Sequence, residues 1–285
     1  MIVVARIVIT GAGGQVGRLL AVEADRRGYQ VSACTHAELD ITDRAAVDSH
    51  IRENDLVVNC AALTNVDAAE ADPDAAFAIN AAGPGNLAAA CAGANARLIH
   101  ISTDYVFSGE AGRPYEISDA TGPISVYGRS KLGGEQAVLA ALPAAHIVRT
   151  SWVYTGGSGS DFVAVMRRLA GTDDQVDVVD DQIGSPTYAA DLVGALLEIA
   201  AGDVRGPILH VANEGAISRC EQARAVFAEL GADPERVRPV GTADVPRPAR
   251  RPMYSALSMT ESVQAGLRRP RPWRDALAEA LAAPL

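Results

Sequence analysis

The sequence predicts an α/β fold built on a doubly wound parallel sheet, followed by a smaller C-terminal α/β portion. Two observations lead to this fold class. Short apolar runs alternate with helical segments through the first half of the chain, and a glycine-rich turn follows the first run. We expect a first domain over residues 1–150 and a second portion over residues 151–285, with the chain free to cross between them.

The elements of the first domain follow from the spacing of apolar residues and from the turns between them. Gly28 is suited to end the first helix, because glycine readily adopts the left-handed conformation found there. The predicted strands are Ile7–Thr10 (preceded by Val3–Val4), Gln30–Cys34, Leu56–Cys60, Arg97–Ser102 and His146–Thr150, and the predicted helices are Val16–Arg27, Pro84–Gly93 and Val126–Leu142.

After Ser151 the alternation loosens, which indicates the smaller portion. Its predicted helices are Asp161–Ala170, Thr187–Ala201, Arg219–Leu230 and Trp273–Leu281, its short strands are Val176–Val179 and Ile208–Val211, and Arg247–Arg251 is a proline-rich basic loop.

Composition narrows the classes of function. Hydrophobic residues make up 48% of the 285-residue chain and charged residues 21%, which supports a sizeable core and argues against disorder. The net charge of −10 argues against nucleic acid or an anionic membrane as a partner. The cysteines form no CxxC pair, and the apolar start runs into the glycine turn without a cleavage site. We therefore expect a cytoplasmic protein without disulfides or a membrane span.

A glycine-rich loop, Gly11–Gly17, joins the first strand to the first helix. Gly11, Gly14 and Gly17 allow a tight turn, a close approach of the backbone to a pyrophosphate, and close packing of helix on strand. The helix N-terminus offers free N–H groups and a partial positive charge to phosphates. The pattern predicts a Rossmann-type, NAD(P)-binding domain over residues 1–150, and a turn that serves packing alone is the alternative.

The end of the second strand bears on the choice of dinucleotide. A carboxylate there would bind the ribose 2′-hydroxyl and favour NAD. The segment reads Cys34-Thr35-His36, and Glu38 lies further along. Arg18, in the helix that the loop opens, is within reach of this end. We expect NADPH as the cofactor, with NADH as the alternative.

Lys131 is the only lysine of the chain, and it stands four residues after Tyr127. On a helix these two positions share a face, and an ammonium beside a phenol lowers the pKa of the phenol. A tyrosine tuned in this way is a general acid near neutral pH. Thr103 follows the fourth strand at the ligand-binding edge of the predicted sheet, where its hydroxyl can bond a substrate carbonyl oxygen. A packing tyrosine and a solvated lysine are the alternative.

Four blocks resemble the extended short-chain dehydrogenase/reductase family: GAGGQVG, NCAA (Asn59–Ala62), STDYVF (Ser102–Phe107) and YGRSK (Tyr127–Lys131). Longer blocks, STDYVFSG, VYGRSKLGGE, RTSWVYTGG, DDQIGSPT and RPARRP, resemble the members of that family that reduce dTDP-4-keto sugars. The resemblance implies hydride transfer from NAD(P)H to the 4-keto carbon of dTDP-4-dehydro-β-L-rhamnose, giving dTDP-L-rhamnose in the final step of its biosynthesis.

The resemblance also implies roles for single residues. Tyr127 would protonate the developing alkoxide, Lys131 would lower the Tyr127 pKa and hold the nicotinamide ribose, and Thr103 would polarise the carbonyl. Thr103, Asp104 and Trp152 would contact the substrate. The expected cofactor contacts are Gly11, Gly14, Gln15, Val16, Gly17, Asp40, Ile41, Ala61, Ala62, Leu63, Tyr127 and Lys131.

For several residues the sequence leaves two alternatives, a role in the functional site or a purely structural role. Arg250 and Arg251 are candidates for the substrate diphosphate, because guanidinium forks match phosphate oxygens, or they are solvated loop residues. The remaining choices concern Asp40 (adenine contact or helix-capping turn), Asp104 (substrate contact or strand end), Trp152 (substrate contact or core) and Asn80 (active-site bridge or helix-local bond).

A metal site is not expected. Some bacterial members of the family carry a glutamate two residues after the last loop glycine and use it in a magnesium-bridged dimer. Here Leu19 takes that place, and Ala190 takes the place of a second expected glutamate. The histidines have no ligand spacing. A homodimer is therefore compatible with the sequence only without the magnesium-bridged interface.

Two rival functions remain. Nucleotide-sugar dehydratases and epimerases share the predicted fold, but a dehydratase usually places an Asp-Glu pair after the threonine, and Thr103 is followed by Asp104-Tyr105. Epimerisation stays open. A non-catalytic NADP-binding regulatory subunit is the second rival, and the presence of Tyr127 and Lys131 speaks against it.

Overall fold

The computed structural model describes residues 6–157 and 159–282, and a parallel six-stranded sheet lies at the centre of this part of the chain. The strands are β1 Arg6–Thr10, β2 Val31–Cys34, β3 Asp55–Asn59, β4 Arg97–Thr103, β5 His146–Thr150, β6 Val153–Tyr154, β7 Val176–Val179, β8 Ile183–Gly184, β9 Thr187–Tyr188, β10 Ile208–His210, β11 Ile217–Ser218 and β12 Val237–Val240. The helices are α1 Gln15–Arg26, α2 Arg44–His50, α3 Val66–Ala71, α4 Pro73–Phe77, α5 Gly83–Gly93, α6 Val126–Ala141, α7 Phe162–Ala170, α8 Ala189–Ala201, α9 Arg219–Glu229, α10 Thr260–Gln264 and α11 Trp273–Ala282.

The central sheet has the strand order β10-β5-β4-β3-β1-β2, and every neighbouring pair is parallel. Alternate strand residues face opposite sides. Ile7 and Ile9 pack with residues of α1 and α8, whereas Val8 packs with residues of α2, α5 and α6. A parallel sheet with helices on both faces is the doubly wound arrangement, so the predicted fold class is confirmed.

A smaller core lies on the C-terminal side of the chain. Tyr154, Phe227 and Leu277 are buried together where α7, α9 and α11 meet. Three two-stranded sheets, β6 with β9, β7 with β12 and β8 with β11, are formed by the described residues after β5. The sheet of β8 with β11 lies against the side chain of Trp152, which follows β5.

The chain crosses back to the central sheet after residue 150. β10 adds the sixth strand by pairing with β5, so that Ile208 lies beside Ile147. α8 packs against α1 on one face of the same sheet. The division of function at residue 150 stays a prediction.

Most predicted elements are present, with ends shifted by one or two residues. The helix predicted from Thr187 begins at Ala189, because Thr187 and Tyr188 pair with β6 as a short strand. The short helices α2, α3, α4 and α10 were not anticipated, since five to seven residues give little periodicity. The Val3–Val4 segment lies outside the described residues. No helix in the described ranges is long and apolar enough to cross a bilayer.

Candidate active site

A cavity of about 800 Å³ opens at the carboxyl ends of β1, β3, β4 and β5, the edge where open α/β sheets bind ligands. Its walls bring together the glycine loop, the loop after β3, the end of β4 and one face of α6. The residues singled out from the sequence that line it are Gly11, Gly14, Gln15, Val16, Gly17, Asp40, Ile41, Ala61, Ala62, Leu63, Thr103, Asp104, Tyr127, Lys131 and Trp152. Of the described residues, Arg250 and Arg251 are not part of its lining.

The glycine loop has the geometry that a dinucleotide pyrophosphate requires. Gly11 has a φ of +65°, and a Cβ there would stand 2.6 Å from the backbone nitrogen of Ala61. A Cβ at Gly17 would stand 2.5 Å from the carbonyl oxygen of Gly11, so the helix approaches the loop only without one. α1 begins after Gly14 without a side-chain cap, which leaves its first N–H groups to bind phosphate oxygens.

Two buried asparagines fix the loop that follows β3. Asn59 Oδ1 accepts a hydrogen bond from the Ala61 N–H at 3.1 Å. Asn80 Oδ1 accepts from the Leu63 N–H at 2.8 Å, and Asn80 Nδ2 donates to the Leu63 carbonyl oxygen and to Ser130 Oγ. Asn80 lies in a short π-helical segment, and these bonds connect it to distant elements instead of its own helix. It therefore joins the cavity loop to α6.

The residues after β2 shape the other end of the cavity. Asp40 lines it, and Asp40 Oδ1 accepts two hydrogen bonds from Thr42 in a local turn, while Asp43 caps α2. The adenine contact of Asp40 stays a prediction. Glu38 Oε2 accepts from the backbone and the hydroxyl of Thr35, each at 2.8 Å, which keeps this carboxylate in its own turn. Arg18 and His36 line the cavity. This end thus presents a guanidinium, which matches a 2′-phosphate.

α6 carries Tyr127 and Lys131 one turn apart on the face that lines the cavity. Ser125 starts the helix by accepting a hydrogen bond from the Gly128 N–H. Lys131 is 2% exposed, and its Nζ donates to the Ile101 carbonyl oxygen at 2.7 Å. Burial lowers the pKa of Lys131 to about 8, so the ammonium remains the main form at neutral pH.

The pKa of Tyr127 differs from the expectation drawn from the sequence. Burial raises this pKa above the usual range for tyrosine, and a hydrogen bond with Thr103 only partly opposes the rise. The cause is desolvation, because a phenolate in the cavity wall would lose more hydration than its neighbours restore. Tyr127 is therefore held in its protonated form, with a proton to donate.

Asp104 gathers hydroxyl groups from three parts of the chain. Its Oδ1 accepts from Thr103 Oγ1 at 3.0 Å, and its Oδ2 accepts from Ser151 Oγ at 3.0 Å and from Ser255 Oγ at 2.5 Å. Burial raises the pKa of Asp104 to about 6. A threonine hydroxyl has one hydrogen, so the hydrogen that Thr103 gives to Asp104 is not simultaneously available to a carbonyl oxygen.

A buried ion pair lies behind Lys131. Glu135 accepts from Arg149 Nε at 2.9 Å and Nη2 at 2.7 Å, and from Ser102 Oγ at 2.6 Å. Its negative charge partly opposes the fall in the Lys131 pKa. Glu135 was not predicted as a site residue, although its spacing of four residues from Lys131, and of Lys131 from Tyr127, places all three on one face of α6.

The basic loop is tied to the first half of the chain. Arg251 donates to the two carboxylate oxygens of Asp67 at 2.8 and 2.9 Å, and the Ala249 N–H donates to the same carboxylate. Arg250 is exposed. The Arg251 guanidinium is thus already paired with a carboxylate, and the assignment of both arginines to a diphosphate stays a prediction.

Two further parts of the wall lie beyond β5, and only one of them, Trp152, was predicted from the sequence. Ser160 and Asp161 line the cavity, and Gln15 Nε2 donates to Asp161 Oδ2 at 3.1 Å, across the glycine loop. Trp152 lines the cavity with a backbone φ of +47°, the left-handed region that strains a non-glycine residue by about 1 kcal/mol or more. Such strain persists only where the surroundings fix the side chain.

The positions relevant to a metal lie outside the cavity. Leu19 and Ala190 are exposed on α1 and α8, which pack against each other. Within residues 6–157 and 159–282, no three His, Cys, Asp or Glu side chains are grouped to hold a metal ion. The expectation of a metal-free enzyme stays a prediction.

Comparison with known proteins places this site in a family. Over residues 5–284 the chain matches the family described as RmlD substrate binding domain. It is 60% identical over 279 residues to the dTDP-4-dehydrorhamnose reductase of Mycolicibacterium smegmatis, covering 98% of this chain and 85% of that protein. The Mycobacterium tuberculosis protein of the same name is 61% identical over 283 residues, covering 98% and 93%. The solved dTDP-4-dehydrorhamnose reductase of Bacillus anthracis, in complex with NADP, is 37% identical with a TM-score of 0.92, covering 97% of this chain and 98% of that chain.

Proposed function

Since the chain belongs to the RmlD family of dTDP-4-dehydrorhamnose reductases, we propose that it reduces the 4-keto group of dTDP-4-dehydro-β-L-rhamnose with NADPH, giving dTDP-L-rhamnose. The observation that carries the proposal is one cavity in which the glycine loop lies with Thr103, Tyr127 and Lys131. A glycine loop by itself would support only cofactor binding, and the acid–base residues beside it support chemistry on a bound substrate.

Reduction of the keto group needs a hydride and a proton, and the protein supplies the proton. NADPH, when bound, supplies the hydride that reduces the keto carbon. Tyr127, whose pKa is raised by burial, then gives its phenolic proton to the new alkoxide oxygen. Lys131, one turn further along α6, keeps a positive charge in the same wall, and that charge stabilises the phenolate left behind.

Thr103 has a conditional role in this scheme. In the structure the Thr103 hydroxyl donates its hydrogen to Asp104 Oδ1 at 3.0 Å, and the same hydroxyl lies within hydrogen-bonding reach of Tyr127. To polarise the substrate carbonyl, Thr103 must turn that hydrogen away from Asp104. With Tyr127 it then provides two hydrogen-bond donors for the oxygen on which negative charge develops.

The cofactor preference rests on the end of the cavity near β2. Arg18 supplies a guanidinium there, and Glu38 is kept in its own turn by Thr35. We assign the 2′-phosphate of NADPH to Arg18, with NADH as the less favoured cofactor.

We also propose that the enzyme acts in the cytoplasm and that any homodimer forms without a magnesium bridge. Cys34, Cys60, Cys91 and Cys220 are free thiols in the described structure, as suits a reducing compartment. Leu19 has an apolar side chain, which cannot ligate magnesium.

The direct test is oxidation of NADPH and of NADH by the purified protein with freshly generated dTDP-4-dehydro-β-L-rhamnose. We expect one NADPH oxidised per dTDP-L-rhamnose formed, with slower use of NADH. The matched variant Tyr127→Phe lacks the proton donor and should lose about 10²- to 10⁴-fold in turnover while still binding NADPH.

Two outcomes would contradict the proposal in different ways. If NADPH is oxidised with a C3/C5-epimeric dTDP-4-keto sugar but not with dTDP-4-dehydro-β-L-rhamnose, the substrate is a different nucleotide sugar. Tight NADPH binding without reduction of either sugar would favour the regulatory-subunit alternative.

A further inference from the structure

The indole of Trp152 is held between two residues that come from another part of the fold. The guanidinium carbon of Arg219 lies 3.5 Å from the centroid of the Trp152 ring. A Cβ added to Gly184 would stand 2.3 Å from Trp152 Cε2 and 2.5 Å from Cζ2. Both residues therefore contact the indole closely, and we call Gly184, Trp152 and Arg219 the indole clamp.

The two contacts lie on opposite faces of the ring. A Cβ at Gly184 would be almost directly above Cε2, and its nearest heavy atoms all belong to the indole. If the Arg219 guanidinium covered the same face at 3.5 Å, it would be nearer to that Cβ than the indole nitrogen at 2.7 Å. It must therefore cover the other face, and only a glycine leaves room for the ring on the first.

Both sides of the clamp are anchored to one another. Gly184 pairs with Ile217 in the two-stranded sheet of β8 and β11, and Arg219 follows that sheet directly as the first residue of α9. The Arg219 N–H donates to the Gln182 carbonyl oxygen. The guanidinium carbon also lies 4.8 Å from the Phe162 ring centroid. The spacing between Gly184 and Arg219 is thus set by backbone pairing, and a second aromatic ring contacts the guanidinium.

The clamp determines which part of Trp152 meets a ligand. With both faces covered, a sugar ring has no free indole face on which to stack, and the cavity is met by the edge of the ring. Among the described residues, the indole Nε1–H has no hydrogen-bond acceptor, so it can donate to a sugar oxygen. Trp152 holds this placement with a strained backbone φ of +47°, which persists only where surrounding contacts fix the residue.

We propose that Arg219 and Gly184 are positioning residues that hold Trp152 edge-on to the cavity, so that it binds the sugar nucleotide through its edge. This inference rests on the proposed function for the identity of the ligand. Arg219 has a second effect, because its charge favours the ionised form of Asp104, and a test must separate the two.

The test combines steady-state kinetics with the fluorescence of Trp152. In a Trp273→Phe background Trp152 is the sole tryptophan, and acrylamide quenching reports how exposed its faces are. Arg219→Ala should raise the KM for dTDP-4-dehydro-β-L-rhamnose about tenfold or more, leave the KM for NADPH within about twofold, and make the indole more accessible to acrylamide.

Two further variants separate the clamp from the charge of Arg219. Gly184→Ala pushes on the opposite face without changing any charge, and it should raise the same KM. Arg219→Lys keeps the charge but loses the planar stack, so it should recover only part of the affinity. If Arg219→Ala does not fold, these two variants carry the test.

Arg274→Ala is the matched control, because Arg274 lies 4.6 Å from the centroid of the other tryptophan, Trp273. In the unmodified background it should leave both KM values unchanged. An unchanged sugar-nucleotide KM in Arg219→Ala and Gly184→Ala would overturn the proposal, as would unchanged acrylamide quenching in Arg219→Ala. If the wild type does not turn over this sugar, the function fails, while the quenching still tests the clamp.

Discussion

Asp104 shows how a single buried carboxyl group can link stability to pH. Its hydrogen bonds join the ends of β4 and β5 to Ser255, far along the chain. The price is desolvation, which raises its pKa from 3.8 to about 6. Between these two values the unfolded chain releases the proton while the folded chain keeps it, so the Asp104 contribution to the free energy of unfolding falls as the pH rises.

Replacing Asp104 by asparagine should remove this pH dependence. Between about pH 4 and about pH 6 the free energy of unfolding of the wild type should fall relative to that of Asp104→Asn. Above about pH 6 the difference between the two proteins should stay constant. Urea unfolding at several pH values measures this difference. A constant difference between about pH 4 and about pH 6 would show that Asp104 does not titrate with a raised pKa.

Lys131 gives a second pH signature, this time in activity. Its pKa of about 8 means that the positive charge is complete below that pH and is lost above it. We expect kcat/KM of the wild type to decline above about pH 8. Lys131→Arg keeps its charge there, so this decline should disappear, while activity falls about tenfold or more because the guanidinium does not fit the small buried space. A decline near pH 8 that persists in the arginine variant would assign it to another group.

At the level of single residues, the sequence was informative where a chemical group is rare or its spacing is regular. Tyr127, Lys131 and the glycine loop are of that kind, and the structure brings them into one cavity. Arg219 and Gly184 carried no such signal. They meet Trp152 only because β8 pairs with β11, and that long-range pairing is not readable from a single sequence.

The position of α6 depends on glycines that allow close contact with its neighbours. At Gly134 a Cβ would stand 2.2 Å from the Asn80 carbonyl oxygen, a backbone atom that cannot move aside cheaply. The helix itself was predictable from its apolar spacing, but the need for this glycine comes from the π-helical segment that packs against it. The position of α6 in the sequence was therefore predictable, whereas how closely it approaches the π-helical segment depends on tertiary packing.

Gly134→Ala should destabilise the protein by about 1–3 kcal/mol through overpacking. Activity should fall even where the variant remains folded, because Tyr127 and Lys131 move with α6. Gly194→Ala is the control: it is also helical, and a Cβ there meets nothing within 4 Å. That variant should be neutral or more stable by up to about 1 kcal/mol, from helix propensity. Equal thermal and chemical stability of the two variants would argue against tight packing at Gly134.

At the scale of the whole molecule, the prediction concerns metal. The acid–base set of the cavity needs no metal ion, and the two positions expected to carry glutamates hold Leu19 and Ala190. We expect activity and oligomeric state to be unaffected by EDTA, measured by NADPH oxidation and by sedimentation. Loss of activity on EDTA treatment that magnesium restores would require a metal site of a different composition.

The path of the chain through the central sheet has a consequence for protein synthesis. Once residues 1–150 have left the ribosome, the edge of β5 is still open, and an open edge invites pairing with another chain. The sheet is finished only when Ile208–His210 has left the exit tunnel. Until then the edge of β5 can pair with a strand of another chain, and a fragment that ends near residue 150 would keep that edge open permanently.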